Sequence, residues 1–304
     1  MAPPAEPGEA ALSAASDADV TVAERLQLKL AELTPAERKV ARALMAEYPV
    51  RGLQPVAKLA ATAGVSAPTV VRLVSKLSFD SYAGFQRSLK SEVSARLSSP
   101  LTMHAGRSAA DGDALSRSEQ LFCEGIRASF ARLPRAEFEQ VVRLLAEQRR
   151  GVTLIGGRFS SALAEYLAAH LRVLRPNVHV ISATGADRTS ALLDIGRRDV
   201  LVAFDYRRYQ HDTVRAAVIA KEQGATLIAF TDPYLSPLAA HADVILTSSV
   251  QSPSPFDALT PAVALVEAVV AALVDRLDDR PLARMARYDA LYAGTVDEAN
   301  EEEA

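Results

Sequence analysis

Apolar residues recur at helical spacing from Val22 to Leu97, and the pattern resolves into a succession of short helices. The first runs over 22–33. Thr34, Pro35, Ala36 and Glu37 then form a capping box with proline at the first helical position, a strong start for a second helix over 35–47. The stretch VAKLAATAGVSAPTVVRLVSKL, residues 56–77, predicts two helices joined by a sharp turn. Leu59, Ala60 and Ala63 form the inner face of the first. Gly64 supplies the turn, since a residue without Cβ takes a positive φ cheaply, and Val65 plugs the corner. Ser66 is a natural N-cap, Pro68 fits the first turn, and Val70, Leu73, Val74 and Leu77 make the buried stripe of the second helix. A further helix spans 82–97. Residues 98–117 carry no sustained period and read as a linker, before helices return at about 115–133 and 135–148.

Beyond Gly151 the texture changes to short apolar runs at 152–156, 178–181, 199–204, 225–230 and 243–247. Helical segments lie between them, near 160–174, 189–194, 212–223 and 237–240, and a last one spans 261–277. Unbroken apolar strands alternating with amphipathic helices predict a parallel sheet covered on both faces. The expected fold is thus two domains: an all-α domain followed by a five-stranded, doubly wound α/β/α domain, whose ligands bind at the carboxyl ends of the strands. The loops at 156–161, 205–211, 231–236 and 247–257 are the ones to watch. The helix over 261–277, apolar around most of its circumference, belongs in a core or an interface. The organisation expected is a disordered lead-in at 1–20, helical domain 21–97, linker 98–117, α/β domain 118–290 and a solvated acidic tail at 291–304.

Charge and composition sharpen this. In the two-helix motif the outward positions are Ala67, Thr69, Val71, Arg72, Ser75 and Lys76, short, hydroxylic or basic side chains suited to a DNA major groove. With Ser66 and Pro68 at the helix start, they form the expected DNA-binding surface. Between Thr21 and Ser98 there are 12 Lys+Arg against 6 Asp+Glu, a basic segment inside a chain whose net charge is -3. No apolar run of 18 residues occurs, so no membrane span is expected. The first 20 residues lack the basic start and apolar stretch of a secretory signal, which places the expected compartment in the cytoplasm. The single Cys123 excludes internal disulfides and cysteine zinc clusters, and reads as a packing residue. Gly156-Gly157 does not complete G-x-G-x-x-G, so no dinucleotide or other cofactor is expected. His211 and His241 are single histidines near helix ends, and Glu165 and Glu267 sit on helices without an acid–histidine pair of isomerase type.

Three phrases carry a family resemblance: LTPAERKVARALMAEYP, GVSAPTVVRLVSKLSF with the later YAGFQ, and GATLIAFTDPYLSPLAAHADVIL. The chain resembles the MurR/RpiR bacterial transcription regulators, a helix-turn-helix domain followed by a sugar isomerase (SIS) domain. The resemblance covers about 25–97 and 118–277. It departs at Ser78, where the family usually has glycine after the recognition helix. It departs more in the ligand domain. The family's first loop resembles G-x-G-x-S; here GGRFS puts Ser160 on the hydroxyl position and Arg158 on the second glycine. The family's second loop, a hydroxyl cradle S-x-S-G-x-T, is replaced by Asp205-Tyr206-Arg207-Arg208-Tyr209-Gln210. Guanidinium forks still favour an anion; equally, Arg207 or Arg208 could pair structurally with Asp205. The resemblance implies an effector site built from Gly156, Arg158, Ser160, Ser161, Asp205, Arg207, Arg208, Tyr209 and Thr231. It implies a non-enzymatic regulator of a metabolic operon, with duplex operator DNA, a small anionic carbohydrate-derived effector (phosphosugar or sugar acid) and a second copy of itself, as a homodimer or homotetramer, for partners. The alternatives are a sugar-phosphate isomerase with an accessory helical domain, and a sensor whose helical domain binds protein.

Overall fold

A computed structural model describes residues 20–97, 113–181, 185–276 and 279–302. The chain divides into two units, Met1–Arg107 and Ser108–Ala304.

The first unit is all helical: α1 (Val22–Lys29), α2 (Pro35–Ala46), α3 (Val56–Ala63), α4 (Ala67–Lys76) and α5 (Tyr82–Leu97). Both Thr21 and Thr34 form reciprocal capping boxes, with Glu24 and Glu37. The helix expected over 22–33 ends at Lys29, and Leu30–Glu32 tighten into a 3-10 turn; a second such turn at Val50–Leu53 had no sequence signal. Gly64 ends α3 with φ 63 and ψ 41, its amide reaching the carbonyls of Ala60 and Ala61. Ser78 takes the left-handed conformation, φ 64, that glycine would fill more cheaply. Leu26, Val40, Leu44, Leu59, Val70, Leu73, Leu77, Phe85 and Leu89 make one core, so the helical stripes read in the sequence meet.

The second unit opens with α6 (Ala114–Arg132), capped by Asp113, which accepts from the amides of Leu115 at 2.8 Å and Ser116 at 3.1 Å. Residues 114–117 are therefore helix rather than linker; the rest of that expectation, 98–112, lies outside the described residues. α7 (Arg135–Ala146) leads to five strands: β1 (Gly151–Gly156), β2 (Val178–Val180), β3 (Asp199–Phe204), β4 (Thr226–Thr231) and β5 (Val244–Thr247). All neighbours pair in parallel in the order β2-β1-β3-β4-β5. The chain reverses its direction of winding between β1 and β3, so the loops after these adjacent strands open onto one crevice.

Helices cover both faces: α8 (Ser161–Leu174) after β1, α9 (Gly185–Leu192) after β2, α10 (His211–Glu222) after β3 and α11 (Thr260–Arg276) after β5. The short helix expected at 189–194 lies earlier, at Gly185–Leu192. Leu265, Val266, Val269 and Leu273 of α11 are buried in the core with Leu154, Val202 and Ile228, so one face of that helix is core, while Val274 is exposed. The chain continues into α12 (Asp279–Glu302), which makes the stretch read as a solvated tail helical as far as 302. Among the described residues no helix is long and apolar enough to cross a membrane.

Candidate nucleic-acid and anion sites

In the first unit, α4 presents Pro68, Val71, Arg72, Ser75 and Lys76 to solvent together with Ser66, while Ala67 is half-buried against the core. Thr69 is a correction to the outward set. It is buried, and its hydroxyl lies 3.0 Å from that of Ser66 and accepts from Arg72 Nη2 at 3.2 Å. Ser66, for its part, makes no side-chain capping bond to the helix. Thr69 thus steers Arg72 rather than meeting a DNA backbone itself. Lys76, though exposed, is engaged within the domain: its Nζ donates to Glu37 Oε2 at 2.7 Å and to the Glu32 carbonyl at 3.3 Å. Burial pushes the Glu37 carboxyl up, but the Lys76 ammonium and the capping bonds from Thr34 outweigh it and hold that carboxyl below its ordinary range. Lys76 therefore ties α4 to α2, and Pro68, Val71, Arg72 and Ser75 are the other exposed side chains of the helix.

In the second unit, the carboxyl ends of β1 and β3 border a cleft of about 260 Å³, lined among others by Arg158, Ser160, Asp205, Arg207, Arg208 and Asp257. The β1 loop turns tightly into α8. A Cβ on Gly156 would stand 2.4 Å from the Ser161 amide nitrogen, so only glycine fits there. Ser160 is buried; its hydroxyl donates to the Phe204 carbonyl at 2.7 Å and accepts from the Gly157 amide at 2.9 Å. The Ser161 amide donates to the Gly157 carbonyl at 2.8 Å. These groups hold the loop together instead of presenting a phosphate cradle. Arg158 extends over the ring of Phe159, 5.5 Å from its centroid, and that ring and Phe256 are exposed at the cleft.

The arginines of the β3 loop do not pair with Asp205. Arg207 donates to Asp257 Oδ1, and Arg208 lies 3.7 Å from Asp257 Oδ2. Tyr234 stacks on the Arg207 guanidinium at 5.4 Å. Asp205 instead ties its own loop. It accepts from the Gln210 amide at 3.0 Å and from the Ser236 hydroxyl, and burial pushes its carboxyl up to about 6. Tyr209 and Thr231 stand outside the cleft. Tyr209 donates to Asp232 at 2.9 Å, and Thr231, fully buried, accepts from the Ser236 amide at 3.0 Å. The cleft residues that single-sequence reasoning missed include Gly157, Phe159, Gln210, Phe256 and Asp257. Asp257 closes a loop already marked for attention, but nothing local signals its pairing with an arginine fifty positions away.

Two family models match the chain: a helix-turn-helix domain of the rpiR family over residues 20–98 and a SIS domain over residues 144–272. An HTH-type transcriptional regulator of Haemophilus influenzae is 24% identical over 223 residues, spanning 71% of this chain and 75% of that protein. Another, from Thermotoga maritima, is 24% identical over 232 residues, spanning 76% and 82%. Among solved structures, the sugar isomerase domain of an RpiR transcription factor from Sphaerobacter thermophilus superposes with a TM-score of 0.55 at 24% identity, covering 58% of this chain and 98% of that one. The Vibrio vulnificus NanR protein, complexed with ManNAc-6P, gives 0.52 at 18% identity and covers 90% and 99%. Both likenesses speak to fold. With its helix-turn-helix and SIS regions matched in that order, the chain belongs to the RpiR family of transcriptional regulators.

Proposed function

We propose that this protein is a cytoplasmic regulator of a metabolic operon that binds duplex operator DNA through the exposed face of α4. On this reading its SIS domain senses a small anionic carbohydrate-derived metabolite, a phosphosugar or a sugar acid, at the cleft between the β1 and β3 loops. The observation that carries the reading is the convergence of Arg158, Arg207 and Arg208 on one cleft at the point where the sheet reverses its winding. NanR, a neighbour in fold, is seen with a sugar phosphate, which suits the same use of the domain. The catalytic alternative draws no support from the cleft. Asp205 has both carboxylate oxygens engaged by its own loops, and Asp257 faces arginines. One helix-turn-helix reads too few base pairs to be selective, so a homodimer or homotetramer would pair two recognition helices on a near-palindromic site.

The test is fluorescence anisotropy of the full chain on DNA from its own gene's flanks. Arg72→Ala should cost about 1–3 kcal/mol of affinity where Arg72 reads a base, and binding should weaken linearly in log salt. An effector acting through the cleft should shift DNA affinity by about 5- to 150-fold. Arg72→Ala with unchanged affinity and sequence preference removes Arg72 from the DNA interface.

A further inference from the structure

The cleft already holds an anion of its own. Asp257 presents one carboxylate oxygen to Arg207 and the other toward Arg208, and the side chains of Arg207 and Asp257 are only 10% and 11% exposed. A guanidinium so far removed from water is costly to leave without a counter-charge. Arg207 Nη2 is already spent on Asp257 Oδ1, so an anion that takes this donor displaces the carboxylate.

Asp257 is also mechanically connected. The next residue, Ala258, donates its amide to the Val250 carbonyl at 3.1 Å, which closes the segment 250–258 into a loop with a fixed neck. Beside that neck, the Ser249 amide donates to Ser129 Oγ of α6 at 2.9 Å, and Ser129 Oγ donates in turn to the Gly125 carbonyl at 2.6 Å. Gly125 faces the same place: a Cβ there would stand 3.1 Å from Pro261 Cγ and 3.6 Å from Ser249. One end of this loop thus latches the arginines, and the other grips α6, the helix that follows residues 98–112 in sequence.

We propose that Asp257 is a built-in surrogate for the ligand's anionic group. Binding exchanges Asp257 for the ligand on Arg207 and Arg208, and the released loop loosens its hold on α6. This rests on the reading of the cleft as an anion site, and it selects among anions. Arg208 stands 3.7 Å from the carboxylate, beyond hydrogen-bond length, so a planar carboxylate serves one arginine well and the other poorly. A phosphate monoester carries nearly two charges and three acceptor oxygens, enough to serve both, and so outcompetes Asp257 where a lone carboxylate merely equals it.

Inorganic phosphate and acetate, titrated calorimetrically into the full chain at constant ionic strength, test this against Asp257→Asn and Arg207→Ala. Asp257→Asn should bind phosphate at least tenfold more tightly than the native chain, and the native chain should prefer phosphate to acetate. Amide exchange across 247–259 and 114–132 of the native chain should quicken at saturating phosphate. If Arg207→Ala loses phosphate while Asp257→Asn binds it no more tightly than the native chain, the anion site stands and the surrogate is wrong. Phosphate binding to neither the native chain nor Asp257→Asn overturns both readings. Unchanged exchange at 247–259 and 114–132 overturns the release, a result that needs no variant to fold.

Discussion

Asp232 offers the sharpest energetic test of this domain. It follows β4, is fully buried, and accepts at Oδ1 from the Tyr209 hydroxyl and the Tyr234 amide, each at 2.9 Å. Its other oxygen, Oδ2, has no hydrogen-bond partner among the described residues. Burial drives the carboxyl up from 3.8 to about 6, against the pull of Tyr209, Tyr234 and the Arg207 charge. A carboxyl whose affinity for protons rises on folding contributes stability below pH 3.8 and loses it as the pH rises through about 6. At 1.36 kcal/mol per pH unit, the interval amounts to about 3 kcal/mol. Asp232→Asn keeps an oxygen for Tyr209 and Tyr234 and never ionises. Its stability relative to the native chain should climb by about 2.4 kcal/mol between pH 4 and pH 7. The two units need not unfold together, so the reading should come from denaturant-dependent hydrogen exchange at the β4 amides. A difference that stays flat over this range, or falls, refutes the assignment of a strained, ionised Asp232.

Two further outcomes follow from local geometry. Thr69→Val removes the hydroxyl that receives Arg72 Nη2 at 3.2 Å while keeping the buried shape; DNA affinity should fall by about 1 kcal/mol, roughly fivefold, with helix content unchanged, and Thr69→Ser should restore it. Equal anisotropy titrations for all three chains would show that Arg72 needs no steering. Gly156→Ala forces a Cβ against the backbone of Ser160 and Ser161 and should cost about 3 kcal/mol, since neither neighbour is a flexible side-chain end; an unshifted urea midpoint for the second unit would mean that the turn has slack.

Much of the fold is legible because local and tertiary preferences agree. The Thr34–Glu37 capping box, the positive φ at Gly64 and the apolar runs that become β1, β3 and β4 each carry a backbone reason visible in a few consecutive residues. The segment that becomes α9 mixes Gly185, Thr189 and Ser190 with few apolar residues, so its periodicity places it badly. The sites are legible in residue type but not in use. By position in the sequence Thr69, Ser160 and Thr231 are hydroxyls facing DNA or ligand, yet all three turn inward. Each serves a polar group near it: the guanidinium of Arg72, the Gly157 amide with the Phe204 carbonyl, and the Ser236 amide. Buried polar groups must be paired, and a hydroxyl beside one is claimed by that need before it can serve a ligand.

The same need bears on the proposed anion site, whose candidate side chains are arginines. The acids that follow β3 and β4 both face inward and tie the loops across the sheet, Asp205 to Gln210 and Ser236, Asp232 to Tyr209 and Tyr234. With hydroxyls and carboxylates committed to holding the loops, the proposed recognition falls to side chains long enough to reach past them. Arginine meets that demand with five donors and a charge that persists at any physiological pH. The buried Arg207 needs a counter-ion, and Asp257 provides one on a loop that also grips α6. A hydroxyl cradle can stand empty in water at little cost. The guanidinium of Arg207, only 10% exposed, cannot, and on the proposed reading ligand binding at this arginine is for that reason an exchange, with a displaced protein segment as its second product.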